Sequence, residues 1–183
     1  MNFAAKAVLA SLIAAAPLSG ALAQAPAAAP AAPMAPPVIA NPVYATLVLE
    51  VAIAKPAAQV WARVGKYCDI QEWSGMTCQI TAGKAGDLGS VRTLNGSNIE
   101  MLVGKTDLSY TYAQPVRVGV PYNAYHGTLE AKPVTATTSK IMVSFFYDES
   151  MLGDEAARAA SKASRATRWN GYLQKIKALA EAG

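Results

Sequence analysis

Gly83-Lys84-Ala85-Gly86-Asp87-Leu88-Gly89-Ser90-Val91-Arg92-Thr93-Leu94-Asn95-Gly96-Ser97-Asn98-Ile99-Glu100 is the stretch on which the reading of this chain turns. Three glycines punctuate a turn that feeds a short strand, and a reversal at 95–97 leads into a second. Asn-Gly between alternating apolar residues is the strongest short-range hairpin signal a sequence offers. A three-residue loop sets Leu94 against Asn98 and Arg92 against Glu100, with both charges on one face. A two-residue loop would set Arg92 against Met101 and split them. An Arg and a Glu on the inner face of a sheet form a polar anchor in an apolar setting.

Upstream of the hairpin, Tyr44 to Ile53 alternates with β-prone residues and reads as a strand. Pro56 suits the first turn of a helix, where its missing N–H costs nothing. Val60, Trp61, Val64 and Tyr67 then continue an apolar stripe at helical spacing, and residues 69–74 read as a second short helix ended by Gly75. Strands are expected at 76–82, 90–94, 98–106, 109–114, 123–132 and 137–147, joined by connections short enough to favour an antiparallel meander. The chain closes on a long helix over about 154–182, with Trp169, Tyr172, Leu173, Ile176, Leu179 and Ala180 as its apolar stripe and Asp154 and Glu155 at its positive end. The helix stripe and one sheet face both need cover, so the economical packing is a curved antiparallel sheet around that helix.

The first 23 residues have the pattern of an export signal: Lys6, an apolar run from Ala7 to Ala16, and a small-x-small site ending at Ala23. The apolar run is too short for a membrane span and stops at Pro17. The expected location is therefore the periplasm, after cleavage near Ala23. Residues 24–42 are mostly Ala and Pro, a composition suited to an extended tether. Residues 43–183 have the size of one ordinary domain. The net charge of +4 is weak and the basic residues are scattered until the last helix. There, Lys162, Arg165, Arg168, Lys175 and Lys177 recur mostly at the spacing of a solvated face, which is not the dense basic patch that nucleic-acid binding requires. Two cysteines, Cys68 and Cys78, read as a disulfide in an exported chain. Metal binding is the alternative, but the single histidine, His126, is far away and leaves too few ligands. No cofactor is expected.

Taken in order, these elements resemble the START/polyketide-cyclase (SRPBCC) superfamily with the helix-grip fold, which also holds the birch-pollen allergens and plant abscisic acid receptors. The resemblance rests on Lys55-Pro-Ala-Ala-Gln-Val-Trp61, Trp73 to Cys78, Gly86 to Leu94, Asn98 to Leu102, Ser109 to Tyr112 and Val120 to Tyr125, and spans residues 44–182. It implies an α+β fold with about seven strands, a helix pair after the first strand, and a cavity between sheet and terminal helix for a small hydrophobic or amphipathic ligand. Carried over by position, Arg92 and Glu100 occupy inward polar positions, and Tyr110, Tyr112 and Tyr125 are inward on their strands. Phe145 and Tyr172 face the same space, and Met76 replaces a lysine with which the plant receptors meet an acidic ligand. The tight turn at 95–97 leaves no room for those receptors' gating loop.

Three functional readings follow. The first is a non-enzymatic periplasmic carrier whose tyrosine hydroxyls and Arg92/Glu100 pair orient a ligand. The pair could equally be a structural salt bridge, and each tyrosine a satisfied core residue. The second is a cyclase or dehydratase in which Glu100 and a tyrosine act as acid and base. Ser or Cys nucleophiles have no support, because His126 alternates away from Tyr125. The third, suggested by the resemblance, is an accessory protein docking a periplasmic dehydrogenase through its outer surface.

Overall fold

The computed structural model describes residue 39, residues 41–117 and residues 119–182. The export signal and most of the tether, expected at 1–23 and 24–42, lie outside these residues. In chain order the elements are β1 (Tyr44–Ile53), α1 (Ala57–Val64), α2 (Ile70–Ser74), β2 (Cys78–Ala82), β3 (Val91–Leu94), β4 (Asn98–Thr106), β5 (Ser109–Ala113), β6 (Asn123–Pro133), β7 (Ser139–Asp148) and α3 (Glu155–Glu181). The strands form one antiparallel seven-stranded sheet in the order β1-β7-β6-β5-β4-β3-β2. This is the helix-grip architecture: an open sheet wrapped around a long C-terminal helix.

Alternation along the strands builds the core. Ile141, Val143, Phe145 and Tyr147 of β7 point inward, as do Tyr125, Leu129 and Ala131 of β6 and Tyr110 and Tyr112 of β5. Trp169, Leu173, Ile176 and Ala180 of α3 meet them. Val60 and Val64 of α1 and Ile70 and Trp73 of α2 close the remaining side. Asp154 caps α3 by accepting the Ala157 N–H at 2.7 Å.

The hairpin has the three-residue register. Leu94 pairs with Asn98 and Arg92 with Glu100 across β3 and β4, and Asn95 and Gly96 take the left-handed backbone the turn demands. Cys68 is bonded to Cys78, tying the α1–α2 connection to the start of β2. That strand begins two residues later than its β pattern suggests. Gly75 ends α2 in a left-handed conformation. The N–H groups of Met76 and Thr77 then donate to the side chains of Ser74 and Asn95 rather than to a neighbouring strand. Among the described residues no helix is long and apolar enough to cross a membrane, and no three His, Cys, Asp or Glu side chains are grouped to hold a metal ion.

Candidate functional site

Arg92 and Glu100 lie on the inner face of the sheet, 0% and 2% exposed. Arg92 Nε donates to Glu100 Oε2 at 2.8 Å. Nη2 lies 2.6 Å from the same oxygen without the alignment of a second hydrogen bond. Nη1 donates to the Tyr67 carbonyl. The guanidinium carbon stands 4.2 Å from the ring centre of Tyr67, 5.1 Å from that of Tyr112 and 5.4 Å from that of Tyr110. Glu100 Oε1 accepts from Gln114 at 2.9 Å and from Asn98 at 3.3 Å. Both carboxylate oxygens are therefore engaged by the protein itself. Burial opposes the Arg92 charge, but Tyr110, Glu100, Tyr112 and Tyr67 more than offset it and keep the guanidinium protonated.

This closed pair divides the inner face of the sheet into two spaces. On one side a narrow cleft of about 100 Å³ opens beneath α3, lined by Glu100 and Tyr112 from the divide and by Met76, Tyr122, Tyr125, Arg165, Trp169 and Tyr172 among others. It meets a second cleft of about 220 Å³, the two sharing Tyr122, Arg165 and Arg168. On the other side, Tyr67 and Tyr110 line a separate groove of about 550 Å³ beside α1.

Of the expected ligand-contacting residues, the structure brings Met76, Glu100, Tyr112, Tyr125 and Tyr172 to the cleft beneath α3. Three do not reach it. Arg92 is sealed behind its tyrosines, and Tyr110 faces the groove by α1. Phe145 is buried between Tyr125 and Trp169, with ring centres 5.8 and 4.9 Å away. The expected cavity between sheet and helix is also largely occupied by side chains. Tyr112, Tyr122, Tyr125, Tyr147, Phe145 and Trp169 pack ring to ring where space for a large ligand would be.

Arg165 was expected on the solvated face of the last helix, and the structure places it at the cleft instead. Its guanidinium carbon lies 4.6 Å from the ring centre of Tyr147, 5.1 Å from Tyr125 and 5.2 Å from Tyr122. Nη1 donates to the Tyr125 hydroxyl at 3.3 Å, while the buried Nε has no partner. Tyr122, not among the expected ligand contacts, donates to Gln114 at 3.1 Å and joins Arg165 to the Glu100 network. Ala124, at a bulge in β6 with φ of 48°, lets Tyr122 and Tyr125 line one cleft. His126 projects from the opposite face, as alternation requires, and is exposed with Nδ1 donating to the Ala124 carbonyl at 2.9 Å.

Burial pushes the hydroxyls of Tyr67, Tyr110, Tyr112 and Tyr125 above the ordinary tyrosine value; Arg92 near the first three and Arg165 near Tyr125 pull them back without overcoming it. These four groups are neutral at physiological pH and serve as hydrogen-bond partners rather than bases.

No protein-family model matches the sequence, and no curated protein matches it by sequence. Solved structures do share its fold. The protein XoxI from Bacillus cereus is 23% identical, with a TM-score of 0.54 over 72% of this chain and 95% of that one. Zhui aromatase/cyclase from Streptomyces sp. R1128 is 16% identical, with a TM-score of 0.59 over 76% and 94%. A truncated norcoclaurine synthase from Thalictrum flavum is 12% identical, with a TM-score of 0.58 over 76% and 95%. The chain thus has the helix-grip fold of the START/polyketide-cyclase and birch-pollen-allergen proteins. That fold hosts different activities in different proteins, so it does not by itself assign one.

Proposed function

We propose that this is a periplasmic binding protein that holds a small amphipathic ligand in the cleft beneath α3, with Arg165 meeting an acidic head group. One observation carries the reading. Arg165 is clamped over three tyrosine rings with its buried Nε unpartnered, which fixes a guanidinium for a carboxylate-like group. Asn98, at the same cleft, carries a buried Oδ1 that also lacks a partner. Met76, Trp169 and Tyr172 offer an apolar wall for the body of the ligand. The narrowness of the cleft limits that body to a few heavy atoms, with the rest extending past Arg165 into the adjoining cleft.

The carrier reading therefore keeps its ligand class but moves its anchor from the Arg92/Glu100 pair to Arg165. A cyclase-type mechanism has less support, because Glu100 has both oxygens committed to Arg92, Asn98 and Gln114. Native mass spectrometry of the protein purified from its own periplasm tests the proposal. The expected result is a co-purifying small acid that is lost in Arg165→Gln. Protein that leaves the cell without such a molecule, or an acid equally retained by Arg165→Gln, would refute it.

The accessory-protein reading has one observation in its favour. Ile99, Met101 and Val103 form an apolar row on the outer face of β4, 40%, 46% and 45% exposed. Co-purification of a periplasmic dehydrogenase, lost on Met101→Lys, would support it.

A further inference from the structure

The groove beside α1 is not used by the proposed function, and it is the larger space. Its volume of about 550 Å³ falls in the range of small-molecule sites, roughly 300–1,000 Å³. Trp61, Tyr67, Tyr110 and Leu102 make an aromatic and apolar floor. The Trp61 ring lies 5.7 Å from that of Tyr110, and Tyr67 meets Tyr110 edge-on at 5.4 Å. Trp61 is held by Gly65: a Cβ there would come within 2.3 Å of the indole, so only glycine lets the ring lie against the helix end.

The rim carries Lys66 and Lys105 against Asp69 and Asp107. Lys105 donates to the Gly86 carbonyl at 2.7 Å, and Asp69 accepts the Lys66 backbone N–H at 2.8 Å. Two positive and two negative groups give no net field to select an ion. Behind the floor, the Arg92 guanidinium sits 4.2 Å from the Tyr67 ring centre and 5.4 Å from that of Tyr110.

We infer that this groove is a second ligand site, independent of the cleft beneath α3, and that it takes an uncharged planar aromatic molecule such as a fused-ring aryl amine or phenol. The half-buried Trp61 indole, backed by the buried Tyr110 ring, stacks on the ring system, and the balanced rim leaves its edge to hydrogen bonds.

The test is fluorescence titration of the full chain with N-phenyl-1-naphthylamine, an uncharged aromatic probe. The expected result is saturable probe emission with quenching of tryptophan emission, and an apparent affinity at least tenfold weaker in Trp61→Leu. Trp61 also packs on the core, so Ala85→Trp provides the second variant. Ala85 is an exposed lining residue, and the added indole would fill the mouth without touching the core; circular dichroism and melting confirm that the variant is folded. The same tenfold loss is expected there. No saturable binding to the native protein, binding retained in both variants, or binding weakened by Arg165→Gln but not by Ala85→Trp would each overturn the inference.

Discussion

Exchanging the members of the Arg92/Glu100 pair for apolar residues gives a graded and asymmetric prediction. Breaking a buried ion pair by removing one partner costs about 3–5 kcal/mol, because the other charge is stranded. The two strandings differ here. Glu100→Leu leaves a guanidinium that is 0% exposed, with only the Tyr67 carbonyl and three ring faces for company. Arg92→Met leaves a carboxylate that still accepts from Asn98 and Gln114 and borders the cleft, where water can hydrate it. Glu100→Leu should therefore cost nearer about 5 kcal/mol and Arg92→Met nearer about 3. Against a typical total stability of about 5–15 kcal/mol, either change lowers the melting temperature by roughly 10 °C or more. The double variant strands neither charge and should be more stable than the sum of the singles implies by at least about 2 kcal/mol, a coupling expected of groups in direct contact. Urea denaturation at pH 7, read at constant m-value, measures all four proteins. Single variants costing under about 1 kcal/mol, or a double variant equal to the sum of its singles, would refute the view that the pair is closed on itself.

Three further outcomes follow from the same structure. Replacing Cys68 and Cys78 with serine opens a loop whose ends are separated by 10 residues; the chain-entropy model gives a loss of about 3 kcal/mol, and an unchanged melting curve under reductant would contradict it. Burial opposes ionisation of Asp148, but bonds from the Ser150 hydroxyl, the Val43 N–H and the Ser150 N–H outweigh it and hold its carboxyl below the usual value. Its stabilisation is therefore present above the unfolded pKa of about 3.9 and is lost as the pH falls below that, so Asp148→Asn should flatten the acid limb of a stability–pH curve. The buried tyrosines have the opposite sign. Their raised folded values make the protein lose stability as the pH rises past the unfolded tyrosine value of about 10, and ultraviolet titration should show them ionising together with alkaline unfolding rather than before it.

The strands were legible because alternation and glycine turns are local signals; the register of β3 on β4 was narrowed to two alternatives, and the structure has the one set by a three-residue 95–97 turn. The start of β2 was less so: Met76 and Thr77 carry a strand pattern, but their N–H groups go to side chains. Arg165 could not be found this way. Lys162 and Arg168 flank it at helical spacing and are exposed, so the row reads as a solvated stripe. Only the packing of α3 over Tyr122, Tyr125 and Tyr147 turns Arg165 inward. The groove by α1 was equally hidden, since its walls come from segments spread between Trp61 and Tyr110. Nor could inward-facing tyrosines reveal how much space they leave, because volume depends on how their rings pack against one another.

The hairpin then acquires a role that neither sequence alternative described. An anchor for a ligand would keep a hydrogen-bonding position open toward the cavity; a mere register device would leave the space around it undivided. The Arg92/Glu100 pair does neither. Its carboxylate end borders the cleft beneath α3, and the tyrosines around its guanidinium end border the groove beside α1. A charge pair suits such a wall, because each group is bound on several sides and held in one place. Together with the tyrosine rings packed beside it, the pair separates the small cleft under the helix from the groove beside α1. If so, the double apolar variant, freed of those directional bonds, should let the wall relax and change probe binding in the groove even where stability is largely recovered. Probe affinity unaltered by Arg92→Met/Glu100→Leu would show that the tyrosines alone make the partition.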